Sequence, residues 1–121
     1  MGKHEPGLTT HALDTVRGKP AAGMAVELWH IPPRGEPVPV AATMLNVDGR
    51  TDAPLLSAET FLPGTYELRF FVGDHFRRHG LAADPPFLDV VPLRVTLVEG
   101  AGHYHVPLLV SPWSYSTYRG S

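Results

Sequence analysis

The chain has 121 residues, a formal charge of −2 with histidine neutral, and no cysteine. That length fits one domain with a core of its own, residues 1–121, and the missing thiols exclude disulfides, thiolate metal sites and a cysteine nucleophile. Lys and Arg are scattered, leaving no basic footprint for nucleic acid, and no apolar run approaches the ~20 residues that span a bilayer, so neither nucleic acid nor membrane is an expected partner.

Residues 1–6 read as a flexible N-terminus, and Met1-Gly2-Lys3-His4-Glu5-Pro6-Gly7 lacks the apolar stretch of a secretory signal, so a cytoplasmic protein is expected. Residues 8–14 form a first strand, with Leu8, Thr10 and Ala12 facing one way and Thr9, His11 and Leu13 the other. Arg17-Gly18-Lys19-Pro20 is a turn. A second strand covers 24–31 and stops at Pro32-Pro33, because proline cannot feed a sheet ladder. A third covers 38–47 and ends in the turn dipeptide Asp48-Gly49, with Arg50 directly after it. Residues 51–62 are less regular and leave room for one short edge strand. Tyr66, Leu68, Phe70 and Val72 alternate with Glu67 and Arg69 through a strand at 65–72. The spacing predicts one short helix over 74–79, with Asp74 as N-cap and Gly80 as its stop. Further strands are expected at 89–98, 103–111 and 114–119.

Seven or eight short strands, punctuated by thirteen prolines and twelve glycines, with one short helix, predict an all-β antiparallel sandwich. Its last strand should lie at a sheet edge, where pairing with another copy is a natural outcome.

Seven histidines carry the possible chemistry. His103 and His105 are two apart on a strand and share a face; Tyr104, Val106, Leu108 and Val110 form the opposite, core-directed face. His11 lies on the less apolar side of the first strand. His75 and His79 are spaced as a helical i, i+4 pair and read as a solvated helix face; His4 belongs to the N-terminus and His30 ends a strand. A His-x-His pair with a third histidine suits two chemistries. One is a three-imidazole zinc site built on His11, His103 and His105. The other is metal-free acid–base catalysis by imidazoles that titrate near neutrality. The residues alone leave both open.

Three separated blocks then carry a resemblance. Leu8-Thr9-Thr10-His11-Ala12-Leu13-Asp14-Thr15 with Gly18-Lys19-Pro20-Ala21, then Asp48-Gly49-Arg50, then His103-Tyr104-His105-Val106-Pro107-Leu108-Leu109 with Tyr115-Ser116-Thr117-Tyr118-Arg119-Gly120-Ser121, resemble the signatures of the transthyretin-like 5-hydroxyisourate hydrolases. The hormone-carrying transthyretins share the Ser-Pro and Tyr-Ser-Thr elements but not the final Tyr-Arg-Gly-Ser.

The resemblance implies a transthyretin-like sandwich assembled as a homotetramer, a dimer of dimers, with active sites in a channel between dimers. It implies hydrolysis of 5-hydroxyisourate, a urate oxidation product, to 2-oxo-4-hydroxy-4-carboxy-5-ureidoimidazoline, with no metal and no other cofactor. The matched catalytic residues are His11, Arg50, His105 and Ser121; Tyr118 and Arg119 join them in substrate binding, and His103 is a supporting residue. In that scheme His105 or His11 draws a proton from water, while Arg50 orients the substrate and stabilises oxyanion charge. Ser121 hydrogen-bonds the substrate or the water. A transthyretin-like carrier that binds a small ligand without turnover is the alternative.

Overall fold

The computed structural model describes residues 5–120. Its eight strands are β1 (Gly7–Asp14), β2 (Lys19–Pro20), β3 (Ala25–Ile31), β4 (Val38–Met44), β5 (Gly64–Phe71), β6 (Val90–Leu97), β7 (His103–Val110) and β8 (Tyr115–Thr117), with helix α1 (Val72–Arg78) after β5. They form two four-stranded sheets, ordered β2-β1-β7-β8 and β4-β3-β5-β6. The expected sandwich is therefore present, and the alternating strands explain it. From the first sheet Leu8, Ala12, Val106, Leu108 and Val110 turn inward; from the second Val26, Leu28, Leu68, Phe70, Val91 and Leu97 meet them, all buried.

Within this mostly antiparallel frame, β1 and β7 pair in parallel, with Gly7 opposite His103, Thr9 opposite His105 and His11 opposite Pro107. A parallel pair needs a long crossover, and here the entire second sheet lies between the two strands in sequence. The pairing puts the outward residues of the first strand beside the outward histidines of the seventh. The edges are β2 and β8 in the first sheet and β4, with Pro39 in it, and β6 in the second; β8 is exposed along its whole length.

Three expectations are corrected. The helix begins at Val72, straight off β5, and not at an Asp74 cap. The Asp89 carbonyl takes the Gly73 N–H at 2.8 Å, so no side-chain cap is needed. Asp74 sits in the first turn and pairs with Arg77 at 2.6 Å. The second correction concerns His75, which is fully buried and not on a solvated face. Val72, His75 and Phe76 share the i, i+3, i+4 stripe that packs inward, so the imidazole is carried into the core with its apolar neighbours. Third, the irregular segment 51–62 contributes a single bridge, Leu8 to Leu56, in place of an edge strand. Among the described residues no helix is long and apolar enough to cross a membrane.

Candidate active site on the outer face of the first sheet

Period-2 alternation puts Thr9, His11, His103 and His105 on the outer face of the first sheet, each partly exposed, while Leu8, Thr10, Ala12, Tyr104 and Val106 are buried beneath them. Arg50 reaches this face through a tight turn. Asn46 organises that turn: its side-chain oxygen accepts the Asp48 N–H at 2.9 Å and the Arg50 N–H at 3.2 Å. The Gly49 carbonyl then accepts the Ala12 N–H at 2.9 Å, which brings Arg50 into a β-bridge with His11. Gly49 has φ +72°, and a Cβ there would lie 2.6 Å from the Ala12 carbonyl oxygen. Only glycine fits both the left-handed backbone and the close approach.

The chain's closing segment arrives from the other side. Strand β8 runs antiparallel along β7, and beyond it Gly120 donates its N–H to the His105 carbonyl at 2.7 Å. A Cβ at Gly120 would lie 2.8 Å from the Cδ2 of His105, so the tail lies directly against that imidazole. The structure thus brings His11, Arg50 and His105 onto one face with Gly120 beside them. Ser121, the next residue, lies outside the described residues. Tyr118 is exposed. Arg119 is directed elsewhere: its guanidinium lies over the Tyr104 ring, 4.1 Å from the centroid, and donates to the Ala101 carbonyl at 3.1 Å. It is not gathered with His11 and His105.

Sequence reasoning missed Thr9. Its hydroxyl lies 2.8 Å from His105 Nδ1 and 2.9 Å from His103 Nε2, joining the two imidazoles. The signal was available, since Thr9 shares the outward face with His11, but the parallel register that sets it opposite His105 is not local information. Asn46 was missed for the same kind of reason, because nothing in the dipeptide Asp48-Gly49 reveals what holds it.

The electrostatics favour neutral imidazoles. Burial lowers the His11 pKa below its ordinary 6.5, and the Arg50 cation pushes the same way, outweighing the opposite pull of Asp48. His105 is lowered first by burial, then by Arg50, His11 and His103. Two unprotonated rings at neutral pH can accept protons, and a permanently charged guanidinium stands beside them. Arg50 itself is exposed and forms no ion pair among the described residues. Among those residues there is also no group of three His, Cys, Asp or Glu placed to hold a metal ion. The face is open in a single chain. A recess of about 250 Å³ lies to one side, between Gly7, Leu56, Glu59 and His103, and does not include His11, Arg50 or His105.

A sequence model described as the HIUase/Transthyretin family matches residues 8–120. The chain is 59% identical over 117 residues to the 5-hydroxyisourate hydrolase of Deinococcus radiodurans, covering 96% of this chain and 97% of that one. A crystal structure of (S)-allantoin synthase superposes with TM-score 0.88 at 42% identity; the match covers 99% of this chain and 45% of that longer one. Sea bream transthyretin, solved with thyroxine, superposes with TM-score 0.85 at 27% identity over 94% of each chain. By the extent of the family match and the identity to its members, the chain belongs to the HIUase/Transthyretin family.

Proposed function

We propose that the chain is a 5-hydroxyisourate hydrolase whose reaction runs on His11, Arg50 and His105. The observation that carries the reading is the pair of bridges, His11 to Arg50 and His105 to Gly120, which converge on one sheet face. The 59% identity to a hydrolase supports the substrate. Hydrolysis adds water to a ring carbonyl carbon, breaks the adjacent C–N bond and delivers a proton to the departing nitrogen. A neutral imidazole takes the proton of the attacking water as its oxygen bonds to carbon. The guanidinium stabilises the carbonyl oxygen as charge develops there, and the imidazolium returns the proton to nitrogen. His103 supports His105, and Ser121 and Tyr118 contact the substrate in this reading; Arg119, turned onto the Tyr104 ring, does not join them. No cofactor takes part.

An open face is a poor place for such a reaction, because water screens every charge on it. We therefore read the active form as a homotetramer, a dimer of dimers, in which another copy covers this face and the sites lie in the channel between dimers. Edge strand β8 is available for pairing. A monomer at micromolar concentration in sedimentation would contradict this part. The reading also places the protein in the cytoplasm, which cell fractionation tests.

The likeness to a thyroxine-bound transthyretin keeps a carrier function in view. Ultraviolet decay of freshly generated 5-hydroxyisourate separates the two. Decay well above the spontaneous rate is expected; binding without acceleration would make the chain a carrier.

A further inference from the structure

We propose that Thr9 is a positioning residue that links His103 to His105 and holds His105 in the tautomer with a bare Nε2. The kinetic part of the inference rests on the hydrolase reading; the tautomer part does not.

A hydroxyl has one proton and two lone pairs, whereas a neutral imidazole has one N–H and one acceptor nitrogen. The Thr9 Oγ1 is in hydrogen-bond range of His105 Nδ1 at 2.8 Å and of His103 Nε2 at 2.9 Å. Its single proton can serve only one of them, so the other nitrogen must carry the proton and donate to Oγ1. Two arrangements satisfy both bonds. In the first, Thr9 donates to His103 and His105 donates through Nδ1, leaving a lone pair on its Nε2. In the second the directions reverse, and His105 carries its proton on Nε2. The outward nitrogen of His105 is then a donor, unable to accept a proton from water. Arg50, bridged to His11 on the same face, favours the first, because a nearby cation favours a lone pair over an N–H on the ring's free nitrogen.

The first arrangement also gives the proton a route. When Nε2 takes a proton from water, the Nδ1 proton passes to Oγ1 and the hydroxyl proton passes to His103 Nε2, while the hydroxide bonds to carbon. His105 is left neutral with its proton on Nε2, and the positive charge moves to His103. Reversing the sequence frees a proton at Nε2 for the departing nitrogen. The titratable and charged groups facing this chain of bonds are His11 on β1 and Arg50 from the 46–50 turn, with Glu5 and Glu59 in the recess beside His103.

The experiment uses the full chain as wild type, Thr9→Val and Thr9→Ser. Long-range 15N–1H spectra of the imidazoles at mildly alkaline pH should show wild-type His105 protonated on Nδ1, the same in Thr9→Ser, and a mixture in Thr9→Val. With 5-hydroxyisourate, Thr9→Val should lower kcat about 10- to 100-fold with KM changed less than about threefold, and Thr9→Ser should recover most of it. The direction of the pH shift discriminates further. A protonated His105 donates to Thr9 more strongly than the neutral ring does, so losing that bond in Thr9→Val should move the acid limb of kcat to lower pH. Mere loosening would relieve burial and move it to higher pH. Wild-type His105 protonated on Nε2, an unchanged kcat in Thr9→Val, or a limb moved upward would overturn the proposal. Should the wild type fail to accelerate substrate decay, the hydrolase reading falls while the spectra still decide the role of Thr9. If Thr9→Val does not fold, the wild-type spectra and Thr9→Ser retain the test.

Discussion

The two sides of β1 hold histidines in opposite settings. Outward, His11 and His105 are partly exposed, lie near the Arg50 cation and belong to no carboxylate pair among the described residues. Inward, at the strand's end, Asp14 is completely buried and holds His75 of α1 at 2.9 Å, with both side chains inaccessible to solvent. Burial alone would raise the Asp14 carboxyl, but N–H donors from Arg17 and Val16, the His75 bond and nearby positive charge hold it below its ordinary 3.8. Burial dominates at His75 and lowers it below 6.5 despite the carboxylate. The consistent state is a neutral imidazole donating through Nε2 to an ionised Asp14. The Nδ1 of His75 has no partner among the described residues and is then a bare acceptor. The comparison teaches that the same side chain is left free to take up a proton where a cation and an open face surround it, and tethers a helix where a carboxylate and the core do.

Substitutions can break that division. The largest effect is expected from His105→Ala, which should cost about 10²- to 10⁴-fold in kcat/KM toward 5-hydroxyisourate with little change in thermal unfolding. His75→Ala should do the reverse. It leaves a cavity and a buried carboxylate short of a donor, costing about 3–5 kcal/mol of stability, while the folded fraction keeps its specific activity. Calorimetry beside activity titrated to folded protein would check this, and lost activity at full folding would contradict it. Arg50→Lys keeps the charge but loses the planar pair of donors, so about 10- to 100-fold in kcat/KM should be lost. The same exchange leaves a cation in place, so the His11 and His105 midpoints should stay where wild type has them, whereas in Arg50→Gln NMR titration should find them higher than in wild type, with burial still holding them down. Gly120→Ala sets a methyl against the His105 ring and should lower kcat by about tenfold without unfolding the sandwich.

The smallest effect is a pH dependence. His75 and Asp14 both have folded pKa values below their ordinary ones, so the unfolded chain binds more protons in acid. Their stabilisation is complete above pH 6.5, falls as His75 is forced to protonate below that value, and falls again below 3.8 through Asp14. His11 and His105 act in the same upper window, so the informative quantity is the difference between wild type and His75→Ala. Stability of the variant should fall less steeply just below pH 6.5, and an identical slope would show that His75 does not titrate there.

Much of this arrangement was legible in the sequence. Alternation at 8–14 and 103–110 separated core from outer face correctly, because the side-chain period of a strand is fixed by its backbone. The convergence of His11, Arg50 and His105 was reachable only through the family resemblance. What stayed hidden depends on pairing between distant segments: the parallel register of β1 with β7, and through it the place of Thr9. The buried His75 was recoverable in principle, since it stands on the stripe of Val72 and Phe76. It was misread because a polar residue on a short helix is more often at the surface. The helix start was misplaced because an Asp two residues in looks like a cap when the strand before it is taken to end in a loop.

The central claim is that the outer face, and not the buried pair, carries the reaction. It is tested most directly by timing the ultraviolet decay of fresh 5-hydroxyisourate with wild type, His105→Ala and His75→Ala at equal concentrations of folded protein. The account predicts rapid decay with wild type and His75→Ala and a near-spontaneous rate with His105→Ala. Equal rates for wild type and His105→Ala, or none above the spontaneous rate, would contradict it.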